Sequence, residues 1–151
     1  MSIEITRTKP PVRVSSVILQ CEGSLDRSSY QSLLEIVLAE IKMGAKEIII
    51  DLSSLERISL AGMVGLYLAR ALLEGKDPLV APLMEGNAID AVDGWEVIHR
   101  MCEATEQGII FNHVRLLSRN PTIRQCLEAA GMNRIMPIMQ TLDEAEGISI
   151  A

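Results

Sequence analysis

Apolar residues along this chain recur with two different spacings, and segments of the two kinds alternate through the sequence. Short runs rich in β-branched residues, of which 48–50 is the clearest, predict strands buried on both faces. Longer segments with an apolar residue every three or four positions, such as 30–43, predict amphipathic helices. Because strands and helices alternate after an opening hairpin, the pattern predicts an α/β fold. We expect a mixed sheet of four or five strands with helices packed mainly on one side.

Local turn and capping residues set the expected limits of these elements. Gly44 and Gly75 follow two of the helices, and Asn120 precedes Pro121 at the expected start of another. Pro10-Pro11 separates the first two strands. The expected strands are 3–5, 12–21, 47–51, 109–118 and an edge strand around 137. The expected helices are 30–43, one ending at 73, 87–107, 121–130 and a last one that begins at 141.

A strand-to-helix corner at 59–62 is the first candidate functional site. The preceding strand is expected to end at Asp51, with a turn over 51–54. Ser59 is placed to cap the next helix, and free backbone N–H groups at a helix N-terminus favour a negatively charged group. Two interpretations of Ser59 stay open, a cap alone or part of a binding site.

A second turn, at 23–26, follows the second strand. Gly23 permits an unusual backbone angle, and Asp26 or Ser28 is expected to cap the helix that begins near Tyr30. From the residues alone, the simplest interpretation is a strand-to-helix turn.

Together these motifs resemble the STAS domain, the fold of bacterial anti-sigma factor antagonists. In that family the first turn is Gly-x-Leu-Asp or Gly-x-Ile-Asp, and the corner is usually Asp-Ser-Ser-Gly or Asp-Ser-Thr-Gly, whose last hydroxyl accepts a phosphate. This chain has Gly23-Ser24-Leu25-Asp26 and Ser59-Leu60-Ala61-Gly62, so Ala61 stands where the hydroxyl is expected. The resemblance implies that the two turns are neighbours at one end of the sheet and that the usual phosphoacceptor is missing. Ser59 is the candidate for a displaced phosphoacceptor.

The resemblance covers 1–75 and 109–148, about four-fifths of the chain. In the C-terminal half it rests on Leu117, Asn120, Ala130-Gly131-Met132 and Leu142-Asp-Glu-Ala145. The last motif belongs to an expected final helix that opens with a capping box at Thr141. The chain, 1–151, is therefore expected to be a single STAS-like domain with an inserted segment at 75–108.

The inserted segment carries most of the negative charge. It contains seven acidic and two basic residues, a balance of −5 in a chain whose net charge is −6. Irregular chain is expected at 76–86, followed by a helix that Asn87 caps. The segment is either a helix that packs on the domain with its acids in water, or a partner-docking or dimer element with Trp95 as its anchor. The expected apolar face of the helix consists of Ile89, Val92, Trp95, Ile98, Met101 and Cys102.

The composition limits the kinds of partner that the protein is expected to bind and indicates its cellular compartment. An acidic chain with 3% aromatic residues disfavours binding to nucleic acids and to anionic membranes. Its three separated cysteines suit reduced thiols, and Cys126 is expected to face the core. Neither a signal-peptide pattern nor an apolar run long enough to span a membrane is present in the sequence. We therefore expect a cytoplasmic protein and not an integral membrane protein.

The sequence does not favour catalysis or a cofactor. Glycine patterns that bind nucleotide phosphates are missing, and the two histidines, His99 and His113, fall on different elements. His99 and Cys102 share a helix, but Cys102 fits the apolar face, and His113 is expected to face solvent. Ser59, His113 and Asp26 have no spacing that supports a catalytic triad. We expect no catalytic residue, no metal and no cofactor.

The resemblance implies a non-enzymatic regulator of transcription in a bacterial partner-switching pathway. Without the usual hydroxyl, it is expected to bind constitutively, to act as a scaffold, or to be controlled by something other than phosphorylation at this position. The expected partner is an anti-sigma factor or a serine kinase of the GHKL type. The alternative is a STAS domain that binds a small molecule or lipid, as a sensor or transport accessory subunit. The expected binding surface is Ser59, Leu60, Ala61, Gly62 and Met63, with Gly23, Asp26 and Ser28 adjacent.

Overall fold

Five strands form one mixed sheet in the computed structural model, which describes residues 3–8, 15–86 and 92–141. They lie side by side in chain order; the first pair is antiparallel and the other neighbouring pairs are parallel. The predicted mixed sheet with an opening hairpin is confirmed, and the hairpin turn at Pro10-Pro11 lies outside the described residues. The strands are β1 Ile3–Thr8, β2 Ser16–Leu25, β3 Glu47–Ile58, β4 Val114–Leu117 and β5 Ile138–Met139.

The helices pack mainly against one face of this sheet, as predicted. The four longer helices bury their apolar residues in one large core cluster with the strands. On the opposite face, a small separate cluster contains Ile18, Ile49 and Leu117. The helices are α1 Tyr30–Lys42, α2 Leu60–Glu74, α3 Ala81–Met84, α4 Gly94–Gln107 and α5 Pro121–Ala129.

β3 is much longer than its apolar run, and the predicted turn over 51–54 is wrong. The strand continues to Ile58 because β2 continues beside it and pairs Leu25 with Ile58. Leu52 and Leu55 are buried in the core and hold this second half of the strand in place. The strand therefore delivers the chain directly to the corner.

The first part of the segment 75–108 contains a 3-10 turn and a short helix, so the irregular chain predicted for 76–86 is wrong over 78–84. The carboxylate of Asp77 accepts a hydrogen bond from the backbone N–H of Leu79 at 2.9 Å and caps a 3-10 turn, Pro78–Val80. This turn leads directly into α3, whose Leu83 is buried in the core. A proline near the start of each short helix suits a position where no N–H donor is needed.

α4 begins later than predicted. Its cap is Asp93, whose carboxylate accepts hydrogen bonds from the N–H groups of Trp95 and Glu96 at 3.0 and 3.3 Å. The predicted cap Asn87 and the predicted face residue Ile89 lie outside the described residues.

β4 is shorter than the predicted strand, because it forms a ladder with only four residues of β3. Ile109 and Ile110 precede it and are exposed. Arg115, in the strand, is fully buried; its guanidinium donates to the Asn112 carbonyl at 2.8 Å and pairs with Glu47 at 3.1 Å.

The C-terminal elements begin where the sequence predicted. The Asn120 side chain accepts a hydrogen bond from the N–H of Thr122 at 2.9 Å, with Pro121 as the first residue of α5. Gly131 follows that helix with a φ of 79°, and β5 is a short edge strand next to Pro137. The final helix predicted from 141 onward, with its motif at 142–145, lies outside the described residues.

Candidate functional site

The corner at 59–62 consists of the N-cap and first turn of α2, with no intervening loop. The Ser59 hydroxyl oxygen accepts a hydrogen bond from the N–H of Gly62 at 3.2 Å, so the predicted cap is confirmed. The N–H of Ser59 also donates to the Leu25 carbonyl at 3.0 Å. Hydrogen bonds thus cap the start of α2 and also connect it to the end of β2.

Two glycines let α2 approach its neighbours closely. A Cβ on Gly62 would lie 2.2 Å from the Leu25 carbonyl oxygen, and a Cβ on Gly65 would lie 2.9 Å from the Cβ of Tyr30. Neither position can accept a side chain without a shift of the backbone or of α1. These contacts place the end of β2 and the turn that follows it directly beside the corner, as the resemblance implied. The turn predicted at 23–26 is wrong at its start, because β2 continues through Gly23 to Leu25 and the chain turns only after that residue. The need for glycine at Gly65 was not predicted, although two glycines three apart in an apolar helix are a signal of close packing.

Asp26 organises the turn before α1, but it does not cap the helix. Its carboxylate accepts hydrogen bonds from the N–H and hydroxyl of Ser28 at 2.9 and 2.6 Å, and its own N–H donates to the Ser29 hydroxyl at 3.0 Å. The N-cap position is Ser29, whose hydroxyl donates to the Ser24 carbonyl at 2.7 Å, so the prediction of Asp26 or Ser28 as the cap is wrong. The Ser28 hydroxyl is the main reason why the pKa of Asp26 is lower than usual. Asp26 therefore gives the site one partly exposed negative charge.

The corner itself presents an uncharged surface. Leu60 is 57% exposed, and Ala61 is half-buried and contributes only a methyl group. Met63 is 8% exposed and packs in the core, so its side chain lies beneath this surface. Gly62 is buried too, and both residues can contribute only support.

Helix α4 forms a wall beside the corner. It buries Val97 and Met101 and leaves Trp95 83% exposed, so Trp95 does not belong to the face that packs on the domain. Residues two positions apart lie on nearly opposite sides of a helix, which separates Trp95 from Val97. Cys102 is also exposed, against the prediction that it lies on the packed face.

A groove of about 460 Å³ runs between the corner and this wall. Its apolar part combines Leu60, Ala61 and Val64 of α2 with Trp95 and Ile98 of α4. Arg27, Tyr30 and Gly94 complete the lining. An open apolar groove beside two exposed large side chains is suited to contact with another macromolecule.

The structure separates the residues of the imagined triad. His113 immediately precedes β4, whose Val114 pairs with Ile48 near the start of β3, whereas Ser59 follows the end of the 12-residue β3. Ser59 and His113 therefore lie at opposite ends of β3, which at about 3.3 Å per residue places them more than about 25 Å apart. His113 contacts the ring of Phe111, with 5.1 Å between ring centroids.

Other reactive side chains are dispersed. His99 lies 2.7 Å from the Glu103 carboxylate on the exposed side of α4. Cys126 is exposed on α5, whose buried positions are Ile123 and Leu127, so the prediction that Cys126 faces the core is wrong. Across the described residues, no three potential metal ligands come together, and no helix there combines the length and apolarity needed to cross a membrane.

Arg70, in the middle of α2, is a buried charge that the sequence pattern does not reveal. Its guanidinium donates to the Ile109 carbonyl at 3.2 Å and lies 5.9 Å from the centre of the Phe111 ring. Its Nε atom is buried without a hydrogen-bond partner, and no carboxylate of the described residues forms an ion pair with it.

No family model and no curated protein matches this sequence. Solved structures do match. An anti-sigma factor antagonist from Mycobacterium paratuberculosis has a TM-score of 0.59 at 15% identity, over 95% of this chain and 91% of that chain. SpoIIAA, the Bacillus cell fate determinant, matches in its phosphorylated form with a TM-score of 0.54 at 17% identity, over 95% and 96% of the two chains. The unphosphorylated anti-sigma factor antagonist SpoIIAA has a TM-score of 0.50 at 19% identity, over 96% and 100%.

These similarities extend over nearly the whole length of this chain and of its neighbours. The chain therefore has the STAS fold, the fold of the anti-sigma factor antagonists.

Proposed function

We propose that this chain is a non-enzymatic, regulatory protein-binding module of a bacterial partner-switching pathway that controls transcription. Its partner is an anti-sigma factor or a serine kinase of the GHKL type, in the cytoplasm. The proposal rests mainly on one observation: the exposed, uncharged start of α2 is packed directly against the turn that holds Asp26. The solved neighbours are regulators by name and not enzymes, and they do not favour the small-molecule or lipid alternative.

The proposed binding surface has an apolar centre and a polar rim. Leu60 and Ala61 form the centre, while Ser59, Asp26 and Ser28 surround it. Protein interfaces commonly have this arrangement, in which the central apolar contact supplies most of the affinity. Gly62 and Met63 support this surface from below, and Gly23, with a φ of 103°, lies at a register shift near the end of the adjacent strand β2.

The proposed module lacks the usual phosphorylation switch. A phosphate would add close to two negative charges at the corner and repel a partner, but Ala61 has no hydroxyl to carry it. The Ser59 oxygen accepts a hydrogen bond as a helix cap, which supports a structural role for this hydroxyl. We therefore expect constitutive binding, with no phosphate on the protein after incubation with partner kinase and ATP.

The decisive test is isothermal titration of the purified protein with anti-sigma factors and GHKL kinases from its own genome. Leu60→Glu places a charge in the centre of the surface and is expected to weaken binding at least 10-fold. The matched control is Ile109→Glu, another exposed aliphatic position, beyond the far end of α4. Equal affinities for the wild type and Leu60→Glu would remove the corner from the interface. Phosphate mapped to Ser59 by mass spectrometry would mean that the switch is displaced and not lost.

A further inference from the structure

The exposure of Trp95 is unusual for the only tryptophan of a small domain. Its side chain is 83% exposed on the first turn of α4, and the Asp93 cap holds its backbone N–H in place. Val97 and Met101 anchor the same helix in the core, and Arg100 pairs with Asp77 at 2.9 Å. The indole is therefore a large apolar group presented to water from a fixed backbone. Such a group commonly supplies the central contact of an interface.

The groove next to Trp95 is complementary to a side chain of this kind. Leu60, Ala61, Val64 and Ile98 give it an apolar lining, and its volume of about 460 Å³ is large enough to receive an aromatic ring. The projecting group and the groove lie side by side on one surface. Two copies related by a two-fold axis can therefore exchange them, each indole entering the groove of the other copy.

Charge on the same surface has the same self-complementary arrangement. Arg27, on the α1 side of the groove, is exposed and forms no ion pair with the described residues. Asp93, on the α4 side, is an exposed carboxylate whose described hydrogen bonds are to backbone N–H groups. A two-fold axis through the groove brings the α1 side of one copy toward the α4 side of the other, and so places each Arg27 near an acid.

We propose that this surface, the Trp95 face (Arg27, Leu60, Ala61, Val64, Trp95 and Ile98), binds a second copy of the chain. A standard interface buries about 800 Å² per partner, and the face contains two exposed large apolar side chains. The dimer is therefore weak and reversible, and its population rises with protein concentration.

The proposed dimer has a regulatory consequence that rests on the proposed function. Leu60 and Ala61 belong both to the Trp95 face and to the corner. A second copy seated on the face covers the corner and competes with the anti-sigma factor or kinase. Self-association thus limits partner binding in a chain whose corner lacks the usual hydroxyl.

Analytical ultracentrifugation over a wide concentration range tests the dimer with the protein alone. The wild type is expected to pass from monomer to dimer mass, while its single-tryptophan emission moves to shorter wavelength as the indole leaves water. Trp95→Ala, which removes an exposed group and is expected to fold, should stay monomeric, and Arg27→Glu should weaken the dimer. The control Ile109→Ala removes a similarly exposed side chain about 20 Å away, beyond the end of α4, and should sediment like the wild type.

A monomer mass for the wild type at every concentration would overturn the proposal, as would a dimer that persists in Trp95→Ala. Titration with the anti-sigma factor or kinase separates this inference from the proposed function. A monomeric wild type that still binds its partner through Leu60 rejects the dimer alone. If the wild type forms concentration-dependent dimers that Trp95→Ala loses, but binds no anti-sigma factor or kinase, the dimer stands and the proposed function is rejected.

Discussion

At the scale of single residues, the two buried arginines differ in how their charges are compensated. Arg115 pairs with Glu47 and donates to a carbonyl, whereas Arg70 has one described hydrogen bond, a nearby aromatic ring and an unpaired Nε. Burying a charge costs several kcal/mol unless partners compensate it. Arg115 is therefore held in a compensated site, while Arg70 reduces the stability that its position on α2 can provide.

This difference predicts opposite outcomes for the same substitution. Arg70→Met should change the free energy of unfolding by less than about 1 kcal/mol, or raise it, because packing replaces an incompletely bonded cation. Arg115→Met should cost about 3 kcal/mol, because it leaves the partly buried Glu47 carboxylate without this cation. Urea unfolding of the two variants and the wild type gives both values. A larger loss for Arg70→Met than for Arg115→Met would show that Arg70 has a compensating partner.

At the scale of elements, the sequence predicts what local chemistry decides. The cap at Ser59, the glycine after α2 and the Asn120-Pro121 start of α5 each depend on a few neighbouring residues, and all three are confirmed. The length of β3 was not predicted, because pairing with β2 overrides the turn propensity of 51–54. Trp95 was assigned to the packed face because its spacing fits that face, but the contact of α4 with α2 decides the orientation.

The junction between β2 and α2 is also set by long-range contact, and a glycine substitution tests it. In Gly62→Ala the new methyl group meets the Leu25 carbonyl oxygen, so α2 must shift, and we expect a loss of about 2–3 kcal/mol. Gly94→Ala is the matched control, because nothing lies within 4 Å of its added Cβ and alanine favours a helix by about 0.5–1 kcal/mol. Thermal unfolding measures both changes. Equal stability of the two variants would mean that α2 does not approach β2 this closely.

At the scale of the whole molecule, the exposed groups proposed for binding lie at one end of the sheet. The corner follows the carboxyl end of β3, which runs parallel to its neighbours β2 and β4. In α/β folds this is the end at which loops and helix N-termini usually form binding sites. α4 extends the same end with Trp95, which the sequence already suggested as the anchor of a docking or dimer element. The helix therefore enlarges the proposed binding surface.

The three cysteines differ in exposure, so their reaction with a thiol reagent measures how the whole domain opens. Cys21 is buried on β2, and burial, followed by the nearby charge of Asp51, raises its pKa to about 12; Cys102 and Cys126 are exposed. We expect a thiol reagent to label two cysteines rapidly in the native protein and the third only at the rate of global unfolding. Mass spectrometry of partly labelled protein identifies the sites. Rapid native labelling of Cys21 would show that β2 opens without the rest of the domain.

The same thiol makes stability depend on alkaline pH with a defined sign. Because the pKa of Cys21 is raised in the folded state, the native protein keeps this thiol proton at a pH where the unfolded chain loses it. The contribution of Cys21 to stability is therefore fully present below about pH 9. It falls as the pH rises from about 9 toward about 12. Urea midpoints measured from pH 7 to about pH 11 should decrease for the wild type and for Cys102→Ala. The midpoints should decrease less for Cys21→Ala, because that variant has no buried thiol to ionise on unfolding. An equal decrease in all three proteins would mean that other groups cause the loss of stability at alkaline pH.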